Sequence, residues 1–101
     1  MDEVELIKKC LAGRKEAFEP LICRYKKLVF SIALNTLYNK EDASDATQDV
    51  FLKVWLNLKS FNPQYTFKAW IAKITVNHCI NINQRTKLSG VWDDDAMEML
   101  Q

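Results

Sequence analysis

The stretch "DASDATQDVFLKVWLNLKSF" (residues 42–61) decides the fold class of this 101-residue chain. Apolar residues recur in it at three- and four-residue spacing, which is the pattern of an amphipathic helix, and no alternating strand pattern competes. The same spacing continues through most of the chain, which contains only two glycines and two prolines. The sequence therefore predicts an all-α protein, a compact bundle of four main helices.

The bounds of these helices follow from the residues that interrupt the pattern. We expect helices at about residues 2–11, 15–37, 42–60 and 66–85. Gly13 ends the first helix, and Pro20 is either tolerated close to the start of the second or kinks it. The segment "FNPQY" (61–65) separates the last two, because proline disfavours helical backbone at Asn62 and has no N–H to donate.

Composition bounds the number of domains and the compartment. A chain of 101 residues with 49% hydrophobic content supports one core, so we expect one domain over 1–90 and an acidic linker or tail at 91–101. The three cysteines are too irregularly spaced for a disulfide framework or a zinc site, which favours a reducing compartment. No apolar run approaches the roughly 20 residues of a membrane span, and the charged N-terminus is not a signal peptide. We therefore expect a cytoplasmic protein.

Charge is distributed unevenly, although the net charge is only +1. No acid occurs between Val50 and Trp92, and the bases of that segment are Lys53, Lys59, Lys68, Lys73, Arg85 and Lys87. The second half of the chain can therefore face an anion, whereas the first half carries acids and bases together. We also expect Asp93–Asp95 to shield the basic surface weakly.

The predicted third helix has two different faces. Its core face consists of Ala43, Thr47, Val50, Phe51, Val54 and Leu58. The opposite face consists of Asp45, Gln48, Asp49, Leu52, Trp55, Leu56 and Lys59. The large apolar residues on this second face either pack on a neighbouring helix or form a patch, rimmed by acids, that binds a basic or amphipathic partner.

The predicted fourth helix carries an apolar stripe beside a polar one. The apolar stripe consists of Phe67, Trp70, Ile71, Ile74, His78 and Ile82, and the polar stripe of Lys73, Asn77, Asn81 and Gln84. Asparagine is unfavourable in helix interiors, so Asn77, Asn81 and Asn83 need another role, and amides can bind base edges. In the preceding loop, Phe61 and Tyr65 are candidates for stacking on unpaired bases, whereas we expect Trp70 to be at least partly core.

Catalysis has little support in the sequence. His78 is the only histidine, and its place on the apolar stripe favours a core or boundary residue over a general base. The sequence contains no glycine-rich phosphate loop and no spacing typical of metal ligands. We therefore expect neither an enzyme nor a cofactor.

Three segments together resemble a known family. They are "AGRKEAFEPLICRYKKLVFSIAL" (12–34), the stretch at 42–61, and "TFKAWIAKITVNHCIN" (66–81). Their order and spacing resemble the region-two domain of bacterial sigma factors, most closely the extracytoplasmic-function (ECF) group, over about residues 3–90. The resemblance implies a sigma region-two fold and a transcription initiation factor domain that binds RNA polymerase core, melts the promoter minus-ten element and is regulated by an anti-sigma factor.

The resemblance also implies which residues act. The residues expected to bind the clamp helices of the largest RNA polymerase subunit are Asp45, Gln48, Asp49, Leu52 and Trp55. The residues expected to bind single-stranded promoter DNA are Phe61, Asn62, Tyr65, Phe67, Lys68, Lys73, Asn77, Asn81 and Arg85. Phosphate contacts are expected from Lys59, Lys68, Lys73 and Arg85.

The chain departs from the family pattern in three ways. Only Arg85 and Lys87 stand where many relatives have an arginine cluster, and the loop "NPQYT" lacks the glycine and acid common in relatives. A second, helix-turn-helix domain also has no room in 101 residues, so we expect an excised piece of a longer protein rather than a lone domain.

The alternative function is a helical module that binds only other proteins. A double-strand-reading repressor is disfavoured, because no short glycine turn joins two brief helices.

Overall fold

The structure, a computed structural model, describes the backbone of residues 2–89 and the side chains of residues 2–85. Every regular element in this range is helical: α1 (Glu3–Leu11), α2 (Phe18–Leu37), α3 (Lys40–Leu56) and α4 (Phe67–Ser89), with 3-10 turns at Lys15–Ala17 and Leu58–Ser60. The all-α prediction is confirmed. The expected tail at 91–101, and the shielding assigned to Asp93–Asp95, lie outside the described residues.

The ends of the helices follow from local capping. The Asp2 side chain accepts a hydrogen bond from the Glu5 amide at 2.9 Å, and that of Asn39 accepts one from the Asp42 amide at 3.0 Å. Both satisfy an amide that has no partner within its helix. Tyr38 ends α2 in the left-handed region (φ 56°) and donates its amide to the Leu34 carbonyl. Because the chain turns within Tyr38 and Asn39, α2 and α3 are antiparallel neighbours.

Two predicted helices begin or end differently in the structure. The second starts with a 3-10 turn, so Pro20 falls in the first turn of α2, where its missing N–H leaves no gap in the helix. The third ends at Leu56, because the Asn57 amide and side-chain nitrogen both donate to the Lys53 carbonyl, at 2.9 and 2.8 Å. These bonds close the helix and redirect the chain into the turn at Leu58–Ser60.

The core lies where α2, α3 and α4 meet. Its fully buried large side chains are Leu21 and Val29 from α2, Val50 and Val54 from α3, and Ile71, Thr75 and Cys79 from α4. Near the α2–α3 turn the buried residues are small: Ala33, Ala43, Ala46 and Cys79. Small side chains allow the three helices to approach closely at this end.

Helix α1 covers one end of the core with Leu6, Ile7 and Cys10. The Tyr25 hydroxyl of α2 donates a hydrogen bond to the Glu3 carboxylate of α1. Burial and this carboxylate raise the pKa of Tyr25 to about 12, so the phenol keeps its proton under ordinary conditions. The bond therefore links α1 to α2 through a neutral phenol, so that the Glu3 carboxylate is the only charged group in the pair.

The buried stripe of α4 differs from the predicted one. Thr75 and Cys79 are fully buried, whereas Ile74, His78 and Ile82 of the predicted apolar stripe are only partly buried. The Thr75 hydroxyl donates to the Ile71 carbonyl at 2.7 Å, so its burial leaves no unsatisfied polar group. The predicted stripe missed this line because a pattern of hydrophobic residues gives no weight to a threonine.

His78 lies at the seam between α3 and α4. Burial lowers the pKa of the imidazole, and the nearby cations Lys53 and Arg85 lower it further, while Asp49 raises it. The folded protein therefore holds His78 in its neutral form at neutral pH. The sequence-based expectation of a boundary histidine is confirmed by its partial burial.

Ile71 and Ile80 provide a matched test of the core. Ile71 is fully buried and Ile80 is 43% exposed on the same helix. We expect Ile71→Ala to lower the free energy of unfolding by about 2–5 kcal/mol, because it leaves a cavity, and Ile80→Ala by about 1 kcal/mol or less. Urea unfolding followed by circular dichroism measures both. Equal losses would contradict the assignment of Ile71 to the core.

The lowered pKa of His78 predicts a pH dependence of stability. Between the lowered folded pKa and the ordinary value of 6.5, the unfolded chain binds the proton and the folded one does not. Stability is therefore lost as pH falls below that ordinary value. His78→Gln removes this titration, so its free energy of unfolding should fall less than that of the wild type between about pH 7.5 and about pH 5.5. If the free energies of unfolding of the two proteins changed equally with pH, the titration of His78 would not be the cause.

Candidate nucleic-acid and partner interface

The outward side of α3 carries an exposed mixture of acids and large apolar residues. We call it the α3 face; it consists of Asp45, Gln48, Asp49, Leu52, Trp55 and Leu56. Leu52 is 57% exposed and Leu56 is 69% exposed, so these two side chains do not pack on a neighbouring helix. Trp55 is half-buried, because its ring lies 5.1 Å from that of Phe18. Leu52 and Leu56 therefore form an exposed apolar patch, whereas Trp55 packs in part on α2.

A groove between α2 and α3 adjoins this face. It has a volume of about 590 Å³ and is lined by Ile22, Lys26, Lys27, Phe30, Ser44, Thr47, Gln48 and Phe51. Gln48 belongs to both surfaces, so a partner that covers the α3 face can extend into the groove. The sequence prediction missed the α2 side of the groove. The sequence feature that could have indicated it is the i, i+4, i+8 spacing of Ile22, Lys26 and Phe30, which places these side chains in one row on α2.

The loop between α3 and α4 holds its own shape. The Asn62 side chain accepts a hydrogen bond from the Gln64 amide at 3.0 Å, and the Asn62 carbonyl accepts one from the Tyr65 amide at 3.0 Å. This turn surrounds Pro63 and leaves Tyr65 69% exposed. Asn62 thus uses its side-chain oxygen within the loop, whereas the Tyr65 ring is presented to solvent.

The other rings of the opening of α4 form an aromatic cluster. Phe67 lies 5.6 Å from Tyr25, 5.3 Å from Phe61 and 5.6 Å from Trp70, between ring centroids. At 3% exposure, Phe67 is a core residue, and its assignment to the DNA-binding set is contradicted. The prediction failed because sequence spacing does not show which rings of a crowded segment face inward. Phe61 and Trp70 are half-buried, so the expectation that Trp70 is partly core is confirmed.

A second groove lies between α3 and α4. We call it the α3–α4 groove; it has a volume of about 260 Å³ and is lined by Lys53, Asn57, Ser60, Trp70, Ile74, Asn77, His78 and Asn81. It brings together two of the predicted amides, Asn77 and Asn81, with an aromatic wall at Trp70. Lys53 and Asn57 were missed as site residues. Their signal was the i, i+4 spacing of Asp49, Lys53 and Asn57, a polar row on α3 that faces the amides of α4.

The other predicted positions lie outside the lining of this groove. Lys59, Lys68, Lys73 and Arg85 are all exposed. Asn83 has a structural role instead, because its side chain donates to the Thr36 carbonyl at 3.0 Å and links α4 to the end of α2. The groove itself is lined by the cation Lys53 and by amides that can donate and accept hydrogen bonds, which suits a polyanion with polar bases.

His78 and Asp49 connect this groove to the α3 face. The Nε2 atom of His78 lies 3.6 Å from the Oδ2 atom of Asp49. It is buried and has no hydrogen-bond partner, which makes it a polar group at the border of two candidate surfaces. Asp49 itself is largely exposed, with 60% of its side-chain surface accessible.

In the part of the chain that the structure describes, no helix combines the length and the apolar character that crossing a membrane requires.

The three cysteines are free thiols, of which Cys10 and Cys79 are buried and Cys23 is exposed. Burial raises the pKa of both buried thiols, so they remain protonated and unreactive near neutral pH.

A solved structure shares this architecture. The NMR structure of an engineered region 2 of sigmaE in complex with GTAAAA is similar with a TM-score of 0.74 and 28% sequence identity, over 88% of this chain and 99% of that one. The two proteins therefore share the helical fold.

Curated relatives are sigma factors from several bacteria. The RNA polymerase sigma-H factor of Pseudomonas aeruginosa is 25% identical over 96 residues, which is 91% of this chain and 50% of that protein. The ECF RNA polymerase sigma factor SigM of Mycobacterium tuberculosis is 32% identical over 84% of this chain and 43% of that protein. SigW of Bacillus subtilis is 27% identical over 80% of this chain. The chain thus spans half or less of the length of these relatives.

The family model of Sigma-70 region 2 matches residues 21–87, which include most of α2, all of α3, the loop and the described side chains of α4. Both candidate surfaces lie within this match. The chain is therefore a member of the sigma-70 region 2 family, and its relatives within that family include ECF sigma factors.

Proposed function

We propose that this domain binds RNA polymerase through the α3 face and holds unpaired bases of the promoter minus-ten element with its loop and the α3–α4 groove. The observation that carries the proposal is the α3–α4 groove, where the amides of Asn77 and Asn81 lie with Lys53 and the Trp70 ring, and the loop that joins the same two helices exposes Tyr65. The related region 2 of sigmaE was solved with the hexanucleotide GTAAAA, which supports a single-stranded ligand here.

Strand opening on such a surface results from differential binding. An unpaired base can stack on Tyr65 and reach the amides of the groove, whereas a base inside a duplex has its faces covered and its pairing edge occupied. Each stacked base contributes about 1–3 kcal/mol, which is comparable to the cost of unpairing it. Lys68 and Lys73 would add phosphate contacts that depend on salt and not on sequence. No covalent chemistry is involved.

The α3 face supplies the other half of the function. Asp45 and Asp49 lie on the same side of α3 as Leu52, which forms an apolar patch with an acidic rim. Such a patch fits a basic, amphipathic surface, and we propose that this surface belongs to the clamp helices of the largest polymerase subunit. An anti-sigma factor would act by covering the same patch. Binding to polymerase and promoter DNA would place the protein in the bacterial cytoplasm.

Two exposed tyrosines allow a matched test of DNA binding. Tyr65 is 69% exposed in the loop between α3 and α4, and Tyr38 is 86% exposed at the turn between α2 and α3. We expect Tyr65→Ala to weaken binding of a single-stranded minus-ten-like oligonucleotide by roughly 5- to 100-fold, because it removes one stacking surface. Tyr38→Ala should leave the affinity unchanged.

Fluorescence anisotropy with a labelled hexanucleotide gives both affinities, and duplex DNA of the same sequence serves as the competitor. If the wild-type protein bound no single strand while it still bound polymerase, the alternative of a purely protein-binding module would be correct.

The polymerase contact has its own matched pair. Leu52 is 57% exposed on the α3 face, and Leu11 is 44% exposed at the end of α1. We expect Leu52→Glu to weaken binding to core RNA polymerase by at least roughly tenfold, because it places a charge within an apolar contact. Leu11→Glu should bind as the wild type does. Equal behaviour of the two variants in biolayer interferometry would exclude the α3 face as the contact.

A further inference from the structure

One buried polar atom is left without a hydrogen bond. The Nε2 atom of His78 is inaccessible to solvent, and its nearest ionisable neighbour is the Asp49 carboxylate, with Oδ2 at 3.6 Å. Only 11% of the His78 side chain is exposed, against 60% of that of Asp49. An imidazole fixed by packing on α4 thus lies against a carboxylate on α3 that still has a solvent-facing side.

The charges around His78 decide which form the imidazole takes. From α3 it faces Asp49 and Lys53, and from its own helix Arg85; burial and the two cations outweigh the acid and lower its pKa. A neutral imidazole carries one N–H. If that proton is on Nε2, a shift of about 0.7 Å brings Asp49 into the range of a charge-assisted hydrogen bond. The tautomer with a bare Nε2 would instead place a lone pair against the carboxylate, which is repulsive.

Asp49 belongs to both candidate surfaces. It begins the row Asp49, Lys53 and Asn57 that borders the α3–α4 groove, and it lies one turn from Asp45 and beside Gln48 on the α3 face. An exposed aspartate on a helix otherwise samples several rotamers, and a partner must restrict it on binding. A hydrogen bond to one carboxylate oxygen from within the protein restricts it beforehand, and leaves the solvent-facing side for a cation of the partner.

We infer that His78 is a positioning residue for polymerase binding: its neutral imidazole holds the Asp49 carboxylate in the orientation that meets a basic surface of the polymerase. This inference rests on the proposed function of the α3 face. It gives the orphaned Nε2 atom a role and explains why a histidine occupies a seam that an aliphatic residue would fill at lower cost in desolvation.

The inference has a consequence that a purely structural histidine would not have. Protonation of His78 places a positive charge 3.6 Å from Oδ2 of Asp49, which cancels much of the field that attracts a basic partner. Polymerase affinity should therefore decline as pH falls through the pKa of His78. It should decline less in a variant that keeps a donor and cannot titrate.

Three single variants of the 101-residue chain, and the double variant that combines His78→Leu with Asp49→Asn, test this inference. His78→Leu removes the donor and keeps an apolar seam, His78→Gln keeps an N–H donor without titration, and Asp49→Asn removes the charge that is to be positioned. Binding to core RNA polymerase is measured for each at about pH 7.5 and at a lower pH, because the pKa of His78 lies below its ordinary value and its protonation requires more acid conditions. Circular dichroism at both values verifies that every variant is folded. Effects of pH on the polymerase itself cancel when each variant is compared with the wild type at the same pH.

We expect His78→Leu to weaken binding by roughly fivefold or more at the higher pH, and to have no further effect when Asp49 is already Asn. His78→Gln should bind as the wild type does at the higher pH and more tightly than the wild type at the lower one. If Asp49→Asn weakens binding and His78→Leu does not, or if the two effects simply add, the positioning role is overturned and the α3 face stands. If Asp49→Asn has no effect on binding to polymerase, the proposed contact between Asp49 and the polymerase is contradicted as well.

Discussion

The close packing of α2, α3 and α4 is the constraint on which both candidate surfaces depend. At one end small residues such as Ala33, Ala43 and Ala46 bring the helix backbones together, and at the other end Val50, Val54 and Ile71 fill the interior completely. A helix packed on this many buried positions cannot rotate without opening a cavity. The outward side of α3 and the amides of α4 therefore have fixed orientations, and a binding partner meets preformed surfaces.

The sequence predicted α3 well because the buried side of that helix consists almost entirely of apolar residues. Its inner positions recur with a helical period, and five of the six predicted core residues, Ala43, Val50, Phe51, Val54 and Leu58, are buried. The prediction of α4 was less accurate because its most buried line passes through Thr75 and Cys79. A threonine whose hydroxyl bonds to its own helix is compatible with a core, but a hydropathy pattern gives it no weight.

The residues of the candidate site were likewise predicted only in part. Exposed residues such as Asp49, Leu52 and Tyr65 were identified because their chemistry is unusual for the place they occupy. Phe67 was misassigned because four rings in a short segment have the same chemistry, and only their packing separates the inward from the outward ones. Lys53 and Asn57 were missed because a groove forms between two helices, and the sequence of one helix does not show which row of the other lies beside it.

The turn between α3 and α4 is a separable unit of the fold. It is closed by hydrogen bonds within the segment from Asn62 to Tyr65, and it is held at both ends by the buried or half-buried rings of Phe61 and Phe67. None of its interior side chains from Asn62 to Gln64 contributes to the core, as all are exposed. Its composition can thus diverge without disturbing the helices, and in the proposed function such divergence would change the preference for bases while the scaffold stays unaltered.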